Sequence, residues 1–144
     1  MKEKVLEALN NLGFTVEQID DNAFCFEYEG MSFLYLYSPN DEEFLSIALP
    51  SVYDFDENEA GKYCALSESI NSSQKYIKAY TANGSLWIFY EREIMEGDDV
   101  EETVRRMILH LQGGMLALKK ALKATSSSSD DDGSDEEAAN GSEE

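Results

Sequence analysis

The sequence predicts a single α+β domain with an antiparallel sheet, in the element order α-β-β-β-β-α-β-β-α. The strands occur in groups instead of alternating one by one with helices, and this grouping is typical of an antiparallel sheet. Two short turn signals, Glu29-Gly30 and Asn83-Gly84, each separate a pair of strand-like segments. A chain of 144 residues with 42% hydrophobic residues is long enough to bury one core.

The first half of the chain is predicted to form one helix and four strands. Residues 1–12 carry apolar side chains at helical spacing, and Gly13 follows at a position suited to a left-handed cap. The predicted strands cover residues 14–19, 23–29, 31–38 and 43–50. Pro50 is expected to end the fourth strand because proline has no amide hydrogen for a strand ladder.

The second half of the chain is predicted to form a helix, a hairpin and a long final helix. Residues 56–72 have a helical stripe, with Asp56 as a candidate N-cap. Strands 76–82 and 85–92 flank Asn83-Gly84, which is the strongest turn signal in the chain. The last helix is expected to begin at Asp98 or Asp99 and to end near residue 123.

The chain is predicted to divide into a folded domain, residues 1–124, and a disordered acidic tail, residues 125–144. The tail contains eight acidic residues, no basic residue and no aromatic residue. Such a segment buries too little apolar surface to offset the entropy lost on ordering.

The charge balance argues against nucleic acid and anionic membranes as partners. The formal net charge is −19, and binding to phosphate requires clustered Lys and Arg. No apolar run approaches the roughly 20 residues of a spanning helix, and no secretory signal is recognised. Cys25 and Cys64 are expected to be thiols in a reducing, cytoplasmic compartment, although spacing alone leaves a disulfide between them open.

No catalytic, metal or cofactor site is predicted. Asp54, Asp56 and Asn58 have the spacing of a calcium loop, but that loop needs Gly and Glu at the positions that Glu59 and Ala65 occupy. His110 is the only histidine and is a poor metal site by itself. Gly113-Gly114 lies inside the last helix, where it indicates close helix packing or a kink instead of phosphate binding. We therefore expect a protein that is not an enzyme and has no cofactor.

Hairpin register sorts the side chains of each predicted hairpin into an aliphatic face and an aromatic face. A two-residue turn at Glu29-Gly30 pairs Phe24 with Tyr35 and Phe26 with Phe33. We assign the aliphatic faces to the helices, so that the aromatic faces form one surface for a partner. The predicted partner-binding residues are Phe24, Phe26, Phe33, Tyr35, Trp87 and Phe89. The alternative is that the faces are reversed and the aromatic side chains belong to the core.

One family resemblance joins these elements. The segment Cys64-Ala65-Leu66-Ser67-Glu68-Ser69-Ile70-Asn71, the following hairpin around Asn83-Gly84 and the long final helix resemble the YbjN-like family. These are bacterial proteins proposed as sensory-transduction regulators, with a type III secretion chaperone-like fold. The resemblance covers roughly residues 1–123 and implies a small, acidic protein that is often dimeric. It supplies no catalytic residue, and a fold alone does not transfer a chaperone function.

These observations together predict a non-enzymatic protein-binding module. It is expected to be a homodimer and to act as a chaperone-like protein or a regulatory adaptor, through the aromatic sheet face or a sheet edge. The last helix, with Leu109, Leu116 and Gly113-Gly114, is a second candidate interface. The alternatives are a small-molecule sensor with a pocket between the second helix and the sheet, and a structural homodimer without a client site.

Overall fold

A computed structural model describes residues 1–130 of the chain. The helices are α1 (Lys2–Asn11), α2 (Ala60–Ser73) and α3 (Val100–Asp130), and two short 3-10 helices span Pro39–Asp41 and Glu57–Glu59. The strands are β1 (Glu17–Asp20), β2 (Ala23–Tyr28), β3 (Met31–Leu36), β4 (Phe44–Asp54), β5 (Ile77–Ala82) and β6 (Ser85–Glu93). The predicted order of helices and strands is confirmed.

The six strands form one antiparallel sheet in the order β1-β2-β3-β4-β6-β5. The first four strands are neighbours in sequence order, and the second hairpin joins β4 through β6. β1 and β5 are therefore the edges of the sheet. The three helices pack against one face of the sheet and form the core with it. This α+β architecture with an antiparallel sheet is the predicted fold class.

Both predicted hairpin registers are confirmed. Phe24 pairs with Tyr35, Cys25 with Leu34 and Phe26 with Phe33. The turn residues adopt left-handed backbone conformations, with φ values of 52° and 79° at Glu29-Gly30 and 53° and 80° at Asn83-Gly84. A tight hairpin turn needs positive φ at both central residues, and glycine adopts it at little cost.

The prediction that Pro50 ends the fourth strand is wrong. β4 continues through Pro50 to Asp54 because the register shifts between Leu49 and Tyr53. At such an irregularity the ladder loses regular hydrogen bonds, so a residue without an amide hydrogen is tolerated. Ser51, next in the chain, has a φ of 47°.

Several other boundaries differ from the predicted ones. β1 begins at Glu17 instead of residue 14, and Phe14 packs its ring on Phe26 instead of extending the strand. The Asp56 side chain caps the short 3-10 helix before α2 by accepting a hydrogen bond from the Asn58 amide. The predicted start of α3 is confirmed, since the Asp99 side chain accepts a hydrogen bond from the Glu102 amide.

The helix α3 continues to Asp130, beyond the predicted end near residue 123. Its last residues, 125–130, fall within the segment for which a disordered tail is predicted. Residues 131–144 lie outside the described part of the chain, so the division into residues 1–124 and 125–144 stays a prediction.

The core lies between the helices and one face of the sheet. The helices contribute Val5, Ala8, Leu9, Leu66, Ile70, Val104, Met107, Ile108, Leu111 and Leu118. The sheet contributes Phe24, Phe26, Phe33, Tyr35, Leu45, Ile47, Leu49, Ile77, Ala79, Leu86, Ile88 and Tyr90. The aromatic side chains of the first hairpin are thus core residues, whereas the second hairpin contributes its aliphatic side chains and Tyr90.

The two adjacent glycines of α3 have different surroundings. A Cβ atom on Gly114 would lie 2.5 Å from the Ile77 Cδ1 atom and 3.3 Å from Ile88 Cγ2, so this glycine lets the helix approach the second hairpin closely. A Cβ atom on Gly113 would meet only the Gln74 side chain, at 3.5 Å. The predicted close packing therefore involves Gly114 alone.

Candidate functional site: the open face of the sheet

The face of the sheet opposite the helices carries an apolar surface, which we call the open face. Strand register places on it Ala23, Cys25, Leu34, Leu36, Phe44, Ala48, Tyr80, Trp87 and Phe89. Four of these residues are buried without belonging to the main core: Ala23, Leu34, Ala48 and Phe89. The open face is therefore a second apolar layer that no helix among residues 1–130 covers.

The structure separates the six predicted partner-binding residues into two groups. Phe24, Phe26, Phe33 and Tyr35 are at most 5% exposed in the core, so they are not available to a partner. The assignment of the aliphatic face of the first hairpin to the helices is thus wrong, and the alternative of reversed faces holds for this hairpin. Trp87 and Phe89 lie on the open face, as predicted for the second hairpin.

An aromatic stack occupies the open face of the second hairpin. The Tyr80 and Phe89 rings stack with centroids 4.5 Å apart, and Trp87 stacks on Phe89 at 5.7 Å. Tyr80 is 43% exposed and Phe89 only 6%, so the phenylalanine forms the floor of the stack. Flat, rigid aromatic surfaces of this kind dominate the binding energy of many protein interfaces.

The Trp87 indole nitrogen is buried without a hydrogen-bond acceptor among the described residues. A buried donor without a partner costs about 1–3 kcal/mol, because it loses its hydrogen bonds to water. A rotation of the indole that gave this N–H an acceptor on a bound protein would remove that cost.

Carboxylates surround the apolar centre of the open face. Glu27 follows Cys25 on the same side of β2, and Glu17 of β1 lies opposite Cys25. Burial, and then the negative charges of these two glutamates, raise the pKa of the Cys25 thiol. On β6, Glu91 forms an ion pair with Lys78 at 3.0 Å and accepts a hydrogen bond from the Ser46 hydroxyl.

The β5 edge of the sheet is partly closed by a side chain of α2. The Asn71 amide group donates to the Ala79 carbonyl oxygen at 3.1 Å and accepts from the Ala79 amide at 2.7 Å. These are the two backbone groups that an added strand would use, so Asn71 opposes strand addition here. The other edge, β1, has only four residues. The face of the sheet is thus a better candidate surface than its edges.

The second candidate interface, the outer side of α3, is exposed at two leucines. Leu109 is 45% exposed and Leu116 is 66% exposed. Two shallow grooves of about 520 and 430 Å³ lie on either side of Gly113 and Leu116. The open face likewise has two exposed large apolar side chains, Phe44 and Tyr80, both 43% exposed.

The structure contains a small cavity and larger open grooves. The cavity, of about 140 Å³, lies between Phe14, Tyr28 and α3, with Arg105 among its lining residues, and differs in place from the predicted pocket between the second helix and the sheet. Pockets that bind drug-sized ligands typically have about 300–1,000 Å³, a volume that this cavity does not reach but that the two shallow grooves beside Gly113 do. A small-molecule site therefore stays an alternative.

The histidine and the two cysteines considered as chemical sites have structural surroundings, within the described part of the chain, in which no metal or disulfide chemistry is seen. His110 packs its ring against Tyr76 and Tyr90, with centroids 5.0 and 5.8 Å away. In residues 1–130, no group of three or more His, Cys, Asp or Glu side chains is arranged to hold a metal ion. Cys25 and Cys64 are free thiols, which resolves the question of a disulfide. Over the same range, no helix is both long and apolar enough to cross a membrane.

Sequence reasoning missed most of the open face. Leu34, Leu36 and Phe44 belong to it, but their neighbours across β3, β4 and β6 are set by pairings between distant segments. Tyr80, which pairs with Trp87 on this face, is not among the predicted partner-binding residues. The missing signal is in the polar residues: Glu27 and Glu91 mark the solvent side of both hairpins, whatever the aromatic content.

A single antiparallel sheet with three helices on one side defines the class of this protein, and solved structures share it. The sequence matches no family model and no curated protein. The fold is similar to the crystal structure of YbjN from E. coli, a protein to which a role in transcription regulation has been provisionally assigned. The TM-score is 0.61 at 13% identity, over 87% of this chain and 93% of that one.

An uncharacterised protein from Methanothermobacter thermautotrophicus is similar in the same way. Its TM-score is 0.58 at 10% identity, over 85% of this chain and 97% of that one. The chain therefore has a YbjN-like fold, as the sequence resemblance predicted.

Proposed function

We propose that this chain is a non-enzymatic protein-binding module that binds its partner through the open face. The observation that carries the proposal is the aromatic stack of Tyr80, Phe89 and Trp87 on a sheet face without a covering helix. Large apolar surfaces on folded proteins usually mark interaction sites. We propose no catalytic residue, metal or cofactor for this function.

The role of such a module is that of a chaperone-like protein or a regulatory adaptor. The similarity of the fold to YbjN is compatible with regulation, but a fold hosts many functions and does not select between the two roles. The free thiols of Cys25 and Cys64 support a reducing compartment, so we propose a cytoplasmic location. Homodimerisation through the same face is the competing use of this surface.

Affinity capture with matched variants tests the proposal. The face variant is Tyr80→Asp/Trp87→Asp, and the control is Leu109→Asp/Leu116→Asp, which places the same charges on the outer side of α3. We expect one protein to be captured by the wild type and the control but not by the face variant, with all three chains folded by circular dichroism. Capture by the face variant but not by the control would move the site to α3.

Light scattering on the same three proteins tests the competing use. A wild-type dimer that becomes a monomer only in the face variant would show that the face is occupied by a second copy. The proposed function would then be wrong for this surface.

A further inference from the structure

The open face is strongly acidic around its apolar centre, and this inference rests on the proposed function. Strand register places six carboxylates on this face: Glu17, Asp20, Glu27, Asp54, Glu91 and Glu93. The single basic side chain among the strand residues of this face is Lys78. One positive and six negative charges give a formal charge of −5.

The charge of Lys78 is already engaged, because its ammonium group lies 3.0 Å from a Glu91 carboxylate oxygen. The other five carboxylates have no basic partner among the described residues of this face. Burial first, and then the negative charges of Glu17 and Glu27, raise the pKa of the Cys25 thiol inside the apolar surface. A partner that covers the face brings its own charges close to these groups.

A second copy of the chain is a poor match for this surface. The acidic groups of two facing copies would approach each other, and juxtaposed like charges across an interface cost several kcal/mol. The rest of the chain does not compensate, because residues 1–130 carry 23 acidic and 11 basic residues, a net charge of −12. Nucleic acid is excluded by the same repulsion.

We infer that the open face binds a basic, amphipathic segment of another protein. Apolar side chains of that segment contact Tyr80 and Trp87, which Phe89 supports from below, and its Lys or Arg side chains lie against the carboxylates of Glu27 and Glu93. Complementary charge speeds association and selects among partners, while the buried aromatic contacts supply most of the affinity.

Three synthetic peptides of equal length test the inference, with Leu at alternate positions and Lys, Gln or Glu between them. Trp87 is the only tryptophan of the chain, so its fluorescence reports binding at the open face and not elsewhere on the acidic surface. We expect the Lys peptide to bind at least about tenfold more tightly than the Gln peptide, which corresponds to about 1.4 kcal/mol. The Glu peptide is expected to bind most weakly, and added salt should narrow the differences.

Two charge variants locate the effect. Glu27→Lys/Glu93→Lys should remove the preference for the Lys peptide, whereas Glu68→Lys, on the exposed side of α2, should leave it unchanged. Equal or tighter binding of the Gln or Glu peptide at Trp87 would overturn the inference and leave the proposed function standing. Trp87 fluorescence that no peptide changes would count against both.

Discussion

The two hairpins of this protein have the same sequence pattern but opposite orientations in the sheet. In β2–β3 the aromatic side chains face the helices, whereas in β5–β6 Tyr80, Trp87 and Phe89 face away from them and only Tyr90 faces the core. Register within a hairpin decides which residues share a face, but not which face is covered. That choice depends on pairing with β4, where Ile47 lies between Tyr35 and Tyr90 and joins both hairpins to one core.

The comparison shows that polar residues indicate the solvent side better than aromatic residues indicate the core. Glu27 and Ser32 lie on the outward side of the first hairpin, and Lys78 and Glu91 on that of the second. Burying an unpaired charge costs far more than leaving an aromatic ring partly exposed. The same aromatic residue type therefore has different roles in the two hairpins: it forms core in one and candidate binding surface in the other.

Truncation of one aromatic side chain in each hairpin should give the largest difference in the free energy of unfolding. Phe33→Ala removes a fully buried ring and should lower the free energy of unfolding by about 3–5 kcal/mol. Tyr80→Ala, on the open face at 43% exposure, should cost about 1 kcal/mol or less. Urea denaturation followed by circular dichroism measures both. Equal losses would mean that the open face is covered in the folded protein.

Alanine substitutions of Gly113 and Gly114 in α3 should change stability in opposite directions, because only Gly114 packs against the second hairpin. Gly114→Ala forces a methyl group against Ile77 and should destabilise the protein by about 1–3 kcal/mol. Gly113→Ala has room beside Gln74 and should stabilise it by about 0.5–1 kcal/mol. Thermal unfolding of the pair checks the prediction, and a stabilising Gly114→Ala would contradict the close approach of α3 to β5.

Asn71→Ala should reduce the protection of the β5 edge, because it removes the side chain that bonds the Ala79 backbone. In the variant the Ala79 amide and carbonyl bond water instead of Asn71. We therefore expect the free energy of unfolding to fall by only about 1 kcal/mol. Hydrogen exchange at the Ala79 amide should accelerate. Ser72→Ala, one residue along the exposed side of α2, is the control. Unchanged exchange in the Asn71 variant would show that the edge is protected by another contact.

The smallest expected effect is a change in the reaction rate of the Cys25 thiol, which depends on the negative charges near it on the open face. Cys25 has a raised pKa, so less thiolate is present near pH 8, and it should react with a disulfide reagent more slowly than the exposed Cys64. Glu27→Gln removes one of the charges that raise the pKa, so it should speed the reaction of Cys25 alone. A rate for Cys25 that is insensitive to Glu27 would argue against the acidic surroundings of this thiol.

Local sequence signals predicted the element order and both hairpin registers, because turn chemistry and periodicity depend on neighbouring residues. They failed where distant segments decide the outcome. The β4 strand passes through Pro50 because an irregularity at this point removes the need for its amide hydrogen. The burial of Phe24 and Tyr35 depends on the covering helices. Of the six predicted partner-binding residues, two, Trp87 and Phe89, lie on the open face, and their role in binding stays a prediction.

Site-specific photo-crosslinking in living cells tests whether the open face contacts a different protein. A benzophenone amino acid replaces Tyr80 on the open face in one variant and Leu116 on the outer side of α3 in another. We expect the variant with the benzophenone at position 80 to form a covalent adduct with a different protein. The variant with the benzophenone at position 116 should not form this adduct. An adduct formed only from position 116, or an adduct from position 80 with twice the mass of the chain, would contradict this expectation.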